Sequence, residues 1–589
     1  MQRNWLPESV RRQILQNTQN RMKNTEKSGG PSVAANLDRR KKFKYVLIAE
    51  GTLIGFITGA LISVFRLMLT GADKLRNMLT GYVHEGGVPA ALLCAAILIV
   101  IAVIVSGLLG REPDIAGSGI PQVEAELRGQ KDMNWWRVIV CKITGCALAI
   151  GGGLALGREG PSIQLGSMVG KGVARAGHRL LTEERLLITC GAGAGLSAAF
   201  GAPLAGAIFS LEELHRNFSA EVLLTTMAAS AAGDFVVANV LGLTPVFGFD
   251  IEHALPLRYY WALILLGLVL GVFGGFYNRT IAWMQDRFDH IGKAFSSFVC
   301  KMLGRRYSII NDGLHPTIPG ERFERTGRML AAFAFAYILF FAYPDALGSG
   351  SGLVGRISHG EFALGALALL LVIKFVFSTA SFGSGSPGGI FLPLLVLGAV
   401  TGGFFSRLLG LAGMDQSYIT AFVVTAMAGY FAAIVRAPVT GVVLITEMTG
   451  DFTTLLPLVL TSLIAYLVAE LLGTKPIYTQ LLERSLGKSP AGRASEGRRA
   501  SLRDRKTVID AEVDVGSHMD GRSVAEFGLP LGTLIVSVVR EGIEIIPDGH
   551  TILRAGDELE ILTRENDLAD VESIIDSACR VVEKVPEEN

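Results

Sequence analysis

The sequence predicts an all-α polytopic membrane protein, built as an internal repeat of broken and tilted helices and followed by a small α+β domain. Three observations support this prediction. The 589 residues are 50% hydrophobic and only 18% charged, outside the usual range of soluble chains. Apolar segments of uneven length fill residues 45–483 and are interrupted by glycine, proline and isolated charges. From residue 507 onward, short alternating runs typical of strands replace them.

The polar segment 1–44 ends in a strongly basic stretch. Five of the six residues 39–44 are Lys or Arg, directly before the first apolar run. A positive flank beside a membrane segment predicts that the N-terminus is cytoplasmic. Tyr45–Leu69 and Val88–Gly110 are each long enough to cross a bilayer, which takes about 20 residues. We therefore expect a multi-pass protein of a cell (inner) membrane, with cytoplasmic N- and C-termini. The net charge of +1 gives no reason to expect a nucleic-acid partner.

After Gly110 several apolar segments are too short to span a bilayer. Non-helical backbone at membrane depth is tolerated only where it is buried in protein or lines an aqueous cavity. The run 193–206 matches the run 428–441 at a spacing of 235 residues, and the match continues to one glutamate in each half. Chance similarity of Ala/Gly-rich segments is the alternative. We predict two repeat halves, about residues 45–284 and 328–483, joined by a basic cytoplasmic connector, with an ion site near their interface.

Gly157–Pro161 places Arg158 and Glu159 in a glycine-rich apolar run. An ionised side chain at membrane depth costs about 2.5–3.5 kcal/mol on insertion scales, so such a residue points to function. The alternative is that the small residues only allow close packing of helices.

Two further stretches, Gly117–Pro121 and Gly385–Pro393, combine glycine and proline at predicted helix starts. Helix N-termini carry free amides and a partial positive charge, and they bind anions. Taken singly, each stretch is equally compatible with an ordinary cap or turn. Several such starts in one membrane domain indicate an anion site rather than a cation site, which favours carbonyls or carboxylates. The candidate donors are the Ser118 hydroxyl, the amides of Ile390 and Phe391, and the Tyr478 phenol.

In their order along the chain, these motifs resemble the CLC family of chloride channels and proton/chloride antiporters. The resemblance covers about residues 45–485 and implies a homodimer with one anion pathway per subunit. It implies that Glu159 is the gating glutamate, and that Arg158 and Lys142 make the pathway electropositive. The implied ligands of the central chloride are Ser118, Tyr478 and the amides of Ile390 and Phe391.

Glu213 matches the internal proton glutamate of many exchangers in this family. It implies proton-coupled chloride antiport, with protons passing between Glu159 and Glu213. For Glu213 the alternative is an acid at a cytoplasmic helix end, and for the protein it is a passive chloride channel of the same fold. Ser118 further implies a preference for chloride over nitrate, and the intact Gly157–Pro161 motif differs from the fluoride-exporting branch.

The sequence shows no pattern of an enzyme and no metal site. Glu212–His215 lacks a second histidine at helical distance, and the six cysteines have neither metal-ligand nor disulfide spacing. The serines of 348–352 and 383–386 lack a plausible histidine partner, which disfavours an intramembrane protease. We therefore predict a transporter without a cofactor, whose substrate is chloride.

A basic linker, residues 484–506, leads into the domain 507–589. The motifs Asp520–Val524, Ile546–Thr551 and Gly556–Leu559 resemble the TrkA-C (RCK-C) module of potassium-transport regulators. The resemblance implies either a small ligand, such as a cyclic dinucleotide, or a purely dimer-stabilising role. A regulatory subunit of cation transport is a distant alternative, because no carbonyl-lined filter motif is found. The predicted elements are strands at Val508–Val515, Thr533–Arg540, Ile543–Ile546 and Glu558–Thr563, and a helical tail at Glu565–Cys579.

Overall fold

The chain is described by a computed structural model in which it divides into two compact units, Met1–Glu483 and Arg484–Asn589. Eight of the described helices are long and apolar enough to cross a membrane, which confirms a multi-pass membrane protein. The predicted linker falls largely outside the described residues, as does most of the N-terminal segment. The described residues are 33–179, 181–215, 220–242, 247, 249, 255–302, 319–487, 506–514, 516–529, 532–540, 543–564 and 568–579.

Over the described residues the membrane unit consists of helices joined by loops, with one isolated β-bridge between Gly157 and Gly389. The helix Ile419–Val435 lies in the interior and is buried along its whole length, whereas the helix Gly87–Arg111 presents many apolar side chains outward. The helices are α1 (Val33–Glu85), α2 (Gly87–Arg111), α3 (Ile120–Leu127), α4 (Trp135–Gly151), α5 (Glu159–Ala176), α6 (Leu181–Phe200), α7 (Pro203–Phe209), α8 (Ala220–Leu241), α9 (Tyr260–Met302), α10 (Pro319–Ala342), α11 (Ser351–Ser358), α12 (Leu364–Gly383), α13 (Phe391–Leu411), α14 (Ile419–Val435), α15 (Pro438–Thr449), α16 (Leu455–Leu471) and α17 (Ile477–Gly487).

The series α3 to α8 has a counterpart of six helices in α11 to α16, in which the short helices α3 and α7 correspond to α11 and α15. Both series start with a broken helix of eight residues, α3 and α11. The residue before each of these two helices is a glycine with positive φ, Gly119 at +94° and Gly350 at +82°. The structure thus contains the broken helices and the repeat that the glycine-rich sequence predicts.

The two glutamates of the repeat, Glu212 and Glu447, each cap a helix of the other half. The Glu212 carboxylate accepts hydrogen bonds from the Thr440 amide at 2.8 Å and from its hydroxyl at 2.6 Å, at the start of α15. The Glu447 carboxylate accepts from the amides of Leu204 at 3.0 Å and Ala205 at 2.8 Å, at the start of α7. The amides of a helix's first turn have no acceptor within the helix, so each half supplies hydrogen-bond acceptors for amides of the other half.

The segment after residue 284 differs from the expected connector, because α9 continues to Met302. Its basic residues occupy an outer face, while Phe288, Gly292, Ser296 and Cys300 recur every fourth residue and are buried. The Ser296 hydroxyl also donates to the Gly320 carbonyl of α10 at 3.0 Å. Residues 285–302 are therefore part of a helix that packs on α10, α14 and α16, and the rest of the predicted connector before α10, residues 303–318, lies outside the described residues.

The C-terminal unit is a four-stranded antiparallel sheet with one helix packed on it, as the alternating pattern predicts. The strand order is β1-β4-β2-β3. Side chains of β1, β2 and β4 form the core with α18, including Val538, Ile561 and Ile575. The elements are β1 (Lys506–Glu512), β2 (Leu534–Arg540), β3 (Ile543–Ile545), β4 (Glu558–Arg564) and α18 (Leu568–Cys579).

We expect Asp557→Asn to destabilise the C-terminal unit by about 1.5–3 kcal/mol, the range for a hydrogen bond to a charged group. The buried Asp557 carboxylate receives two hydrogen bonds from the Arg540 guanidinium, both at 2.7 Å, and one from the Arg554 amide at 2.8 Å. Hydrogen–deuterium exchange of β2 and β4 in the full-length protein measures the effect. Glu558→Gln, at an exposed acid on β4, is the matched control and should leave exchange unchanged.

The same carboxylate makes the unit acid-sensitive. Burial opposes ionisation, but the hydrogen bonds from Arg540 and Arg554 outweigh it and hold the pKa of Asp557 below the usual aspartate value. Its contribution to stability is therefore present above the unfolded-state pKa of about 3.9 and is lost as the pH falls through the lower folded-state value. Acid-induced loosening that is equally large in Asp557→Asn would contradict this assignment.

Candidate functional site

Backbone hydrogen bonds bring the three glycine-rich helix starts together. The segments before α5 and α13 pair through Gly157 and Gly389, whose amides each donate to the other's carbonyl at 2.7 Å. The Gly388 amide donates to the Gly117 carbonyl, before α3, at 3.0 Å. The N-termini of three helices are thereby fixed around one buried point, where their partial positive charges add.

Ser118 is 2% exposed and lies against the start of α5. Its Oγ accepts a hydrogen bond from the Ile120 amide at 3.3 Å, which orients the hydroxyl at the start of α3. A Cβ at position 160 would lie 2.8 Å from the Ser118 carbonyl oxygen and 2.9 Å from its Cβ. Only glycine allows this approach, which explains the residue type at Gly160 within the Gly157–Pro161 motif.

Ile390 and Phe391 begin α13 and are both fully buried. The Phe391 ring packs against Phe200, with centroids 5.3 Å apart, and against Phe431 at 4.6 Å. This packing fixes the first turn of α13, whose amides lack intrahelical acceptors. The sequence predicts that the amides of Ile390, the N-cap residue, and Phe391, the first residue of α13, bind an anion, and the structure places both at this helix start.

Glu159 is the first residue of α5, and none of it is exposed. The amides of Glu159 itself and of Leu392 face its carboxylate, so the group lies between the N-termini of α5 and α13. The nearest cation is Arg158, whose Nε is 3.8 Å from Oε1. When ionised, this carboxylate occupies the kind of electropositive position that a free anion would require.

Tyr478 and Glu213 lie on the other side of the site. Tyr478 is fully buried near the start of α17, and its hydroxyl has no hydrogen-bond partner among the described residues. Both the Glu213 and the Glu159 carboxylates lie within electrostatic reach of this phenol. Glu213 is 5% exposed and sits in a π-helical turn, Ser210–His215, that contacts α3. Such turns are frequent at functional sites.

Lys142 and Arg158 stand in different positions relative to the helix starts. Lys142 is completely buried on α4, and its Nζ donates to the carbonyls of Ile115 at 2.9 Å and Gly117 at 2.8 Å. Its charge acts from behind the loop that carries Ser118. Arg158 precedes α5 directly, and its side chain is about one fifth exposed, at 21%.

Arg66 is a basic residue at the site that the sequence reasoning missed. It lies on α1, donates to the Ala198 carbonyl at 3.1 Å, and interacts electrostatically with Arg158 and Glu159. A signal was present, because Arg66 is the one arginine in the apolar run Tyr45–Leu69, and isolated charges in membrane spans mark functional positions.

Two family models match the chain. The model described as voltage gated chloride channel matches residues 101–470, and the model described as TrkA-C domain matches residues 508–576. The first match runs from within α2 to the end region of α16, and the second spans most of the C-terminal unit.

Curated relatives support the first match. The chain is 35% identical over 452 residues to the H(+)/Cl(-) exchange transporter ClcA of Vibrio parahaemolyticus, covering 74% of this chain and 88% of the relative. It is 36% identical over 380 residues to the protein of the same name from Vibrio cholerae, covering 64% and 75%.

Solved structures share the fold. A slow cyanobacterial Cl-/H+ antiporter is 30% identical with a TM-score of 0.67, over 75% of this chain and 98% of that one. A eukaryotic CLC transporter is 21% identical with a TM-score of 0.57, over 75% and 74%. A CLC-type fluoride/proton antiporter is 20% identical with a TM-score of 0.56, over 74% and 97%. The last two similarities concern the fold alone.

Proposed function

This chain belongs to the voltage-gated chloride channel family, whose members are transporters and not enzymes, and we propose that it exchanges chloride for protons across a cell membrane. The observation that carries the proposal is the Glu159 carboxylate, which is fully buried where helix N-termini meet. The relatives named as H(+)/Cl(-) exchange transporters support the same activity.

In this proposal a central chloride is held by neutral donors and helix dipoles. The Ser118 hydroxyl, the Tyr478 phenol and the amides of Ile390 and Phe391 are its ligands. Tyr478 supports this role because its buried hydroxyl has no partner among the described residues, and a buried donor without a partner is costly. Lys142 raises the local potential without contacting the ion, because its donors are already directed at two carbonyls.

Glu159 is the gate because one group serves both substrates. When ionised, its carboxylate competes with chloride for the positive ends of α5 and α13. When protonated, it loses that attraction and leaves the position to an anion. The ionised carboxylate and chloride therefore exclude each other at this position, so chloride entry is linked to protonation of Glu159 and proton release to the departure of chloride, as exchange requires. Arg158, whose Nε lies 3.8 Å from Oε1, adds positive charge that attracts anions, and Arg66 on α1 adds more.

Glu213 receives the proton on the other side of the site. It lies on the π-helical turn and is 5% exposed, and its carboxylate and that of Glu159 both interact electrostatically with Tyr478. The second candidate function is a passive chloride channel of the same fold, which would need the gate but not the inner acid.

The decisive measurement is proton-driven chloride movement in liposomes that contain the purified protein. We expect an inward proton gradient to drive chloride out against its own gradient in the wild type. In Glu213→Gln, chloride flux should persist while proton flux falls by about a hundredfold or more, the scale of a positioned acid–base group.

Glu183→Gln serves as the control, because this acid lies in the first turn of α6, away from the meeting point of the helix starts. It should exchange like the wild type. If chloride flux in the wild type does not depend on the proton gradient, the protein is a passive chloride channel and the exchanger proposal is wrong.

The finer assignments complete the proposal. The protein acts as a homodimer with one pathway per subunit, in an inner membrane, with both termini in the cytoplasm. This orientation follows from the basic residues 39–44 before the first span. The TrkA-C unit stabilises the dimer or binds a small regulatory ligand, such as a cyclic dinucleotide.

A further inference from the structure

The loop that carries Ser118 has a counterpart in the second repeat. Before α3, the buried Lys142 donates to the carbonyls of Ile115 and Gly117. Before α11, the buried Lys374 donates in the same way to the carbonyls of Ala346 and Gly348, both at 2.8 Å. The two repeats thus contain the same loop, held by the same pair of lysine contacts. A contact that is present in only one of them is not needed to form the loop.

The two copies differ at the residue that packs across the loop. In the first repeat this is Gln164, the sixth residue of α5, whose Cβ and Cδ would both lie 2.7 Å from a Cβ at Gly119. In the second repeat the sixth residue of α13 is Val396, whose Cγ1 would lie 3.2 Å from a Cβ at Gly350. An apolar side chain therefore suffices to pack against this loop.

Gln164 adds polar contacts that valine cannot make. None of the side chain is exposed, and its Nε2 donates to the Asp114 carbonyl at 2.9 Å and to the Met133 sulfur at 3.6 Å. Its Oε1 has no hydrogen-bond partner among the described residues, although buried acceptors are usually satisfied. A buried amide whose oxygen has no partner is less favourable for packing than an apolar side chain. Packing alone therefore does not explain why the first repeat has glutamine at this position.

We propose that Gln164 is a positioning residue that sets anion selectivity through the Ser118 loop. The inference rests on the proposed function, in which Ser118 binds chloride. By holding the Asp114 carbonyl and covering Gly119, Gln164 fixes the backbone on both sides of Ser118. A hydroxyl held at one position favours a small spherical anion, whereas a loop free to shift also accommodates a larger planar anion such as nitrate.

The test is the ratio of chloride flux to nitrate flux in liposomes containing the full-length protein. Gln164→Val copies the second repeat, so we expect a folded protein with the ratio lowered by about threefold to tenfold, the value of one hydrogen bond. Chloride binding, measured by calorimetry, should weaken in the same proportion. In a Ser118→Ala background, Gln164→Val should have little further effect, because it acts through that hydroxyl.

Two more variants make the result specific. Gln164→Met keeps the length of the side chain without the amide and should behave like Gln164→Val. Ser167→Ala removes another fully buried polar group of α5 that has no partner among the described residues, and it should retain the wild-type ratio.

Three outcomes would overturn the role of Gln164: an unchanged flux ratio in Gln164→Val, an unchanged flux ratio in Gln164→Met, or effects that add fully to those of Ser118→Ala. Proton-driven exchange is recorded in the same vesicles. Its absence in the wild type would refute the proposed antiport, but the anion ratio is also defined for passive flux and still tests Gln164.

Discussion

Glu159→Gln should abolish proton transport while chloride still crosses the membrane. Glutamine has nearly the same shape as protonated glutamate, so it mimics the neutral state of the gate, which leaves the position between α5 and α13 to an anion and cannot exchange protons. With no carboxylate to compete for the helix N-termini, chloride binds independently of pH. We expect proton flux to fall by about a hundredfold or more, measured with a pH electrode beside chloride efflux from the same liposomes.

Two further variants test whether this effect is specific to the carboxylate of Glu159. Glu159→Ala should show the same loss of proton flux with faster chloride movement, because no side chain blocks the site. Glu112→Gln, which changes another buried acid outside the meeting point of the helix starts, should exchange normally. Proton flux that survives in both Glu159 variants would refute the gating role.

Lys171→Met should destabilise the membrane unit by about 3–5 kcal/mol, the usual consequence of removing one partner of a buried ion pair. Lys171 is fully buried on α5 and donates to the Glu126 carboxylate of α3, to Asp132 at 2.6 Å and to the Met133 carbonyl at 2.7 Å. Without it, the Glu126 carboxylate keeps the Met133 amide, at 2.7 Å, but loses its cation. Reversible unfolding in mixed micelles measures the change.

The double variant Lys171→Met/Glu126→Gln separates the ion pair from simple packing. Removing both charges leaves no uncompensated carboxylate, so much of the lost stability should return. A double variant as unstable as the sum of the two single variants would show that the pair itself is not the source of the effect. Lys171 ties together the helices that begin at Ser118 and Glu159, so chloride affinity should fall along with stability in the single variant.

Sequence alone predicted most of the fold, because the relevant signals are local. Uneven apolar runs and Gly-Pro breaks give the broken helices, and strict alternation gives the sheet of the C-terminal unit. The helix starts at Gly117–Pro121 and Gly157–Pro161 were recognisable for the same reason, since glycine and proline impose a particular backbone. The repeat relates Gly157 to Gly389, which pair across the two halves.

The features that the sequence did not predict depend on contacts between residues that are far apart along the chain. The basic stretch after residue 284 has the composition of a surface connector, but its every-fourth-residue burial against α10 makes it part of a helix. Gln164 looked like one polar residue among many, and only its contact with Gly119 across the fold sets it apart. The same holds for Arg66, whose relation to Glu159 requires α1 to pack beside α5.

The exchange of helix caps between the halves bears on how the chain arose. A lone repeat holds one acid, but the amides that this acid caps belong to the other half. Such a repeat could satisfy both groups only by pairing with a second copy of itself. The chain therefore has the form expected from the fusion of an ancestral dimer. Glu212 and Glu447 are the residues that still match between the two copies. Glu213 corresponds to Met448, and Gln164 to Val396, so at these positions the copies differ.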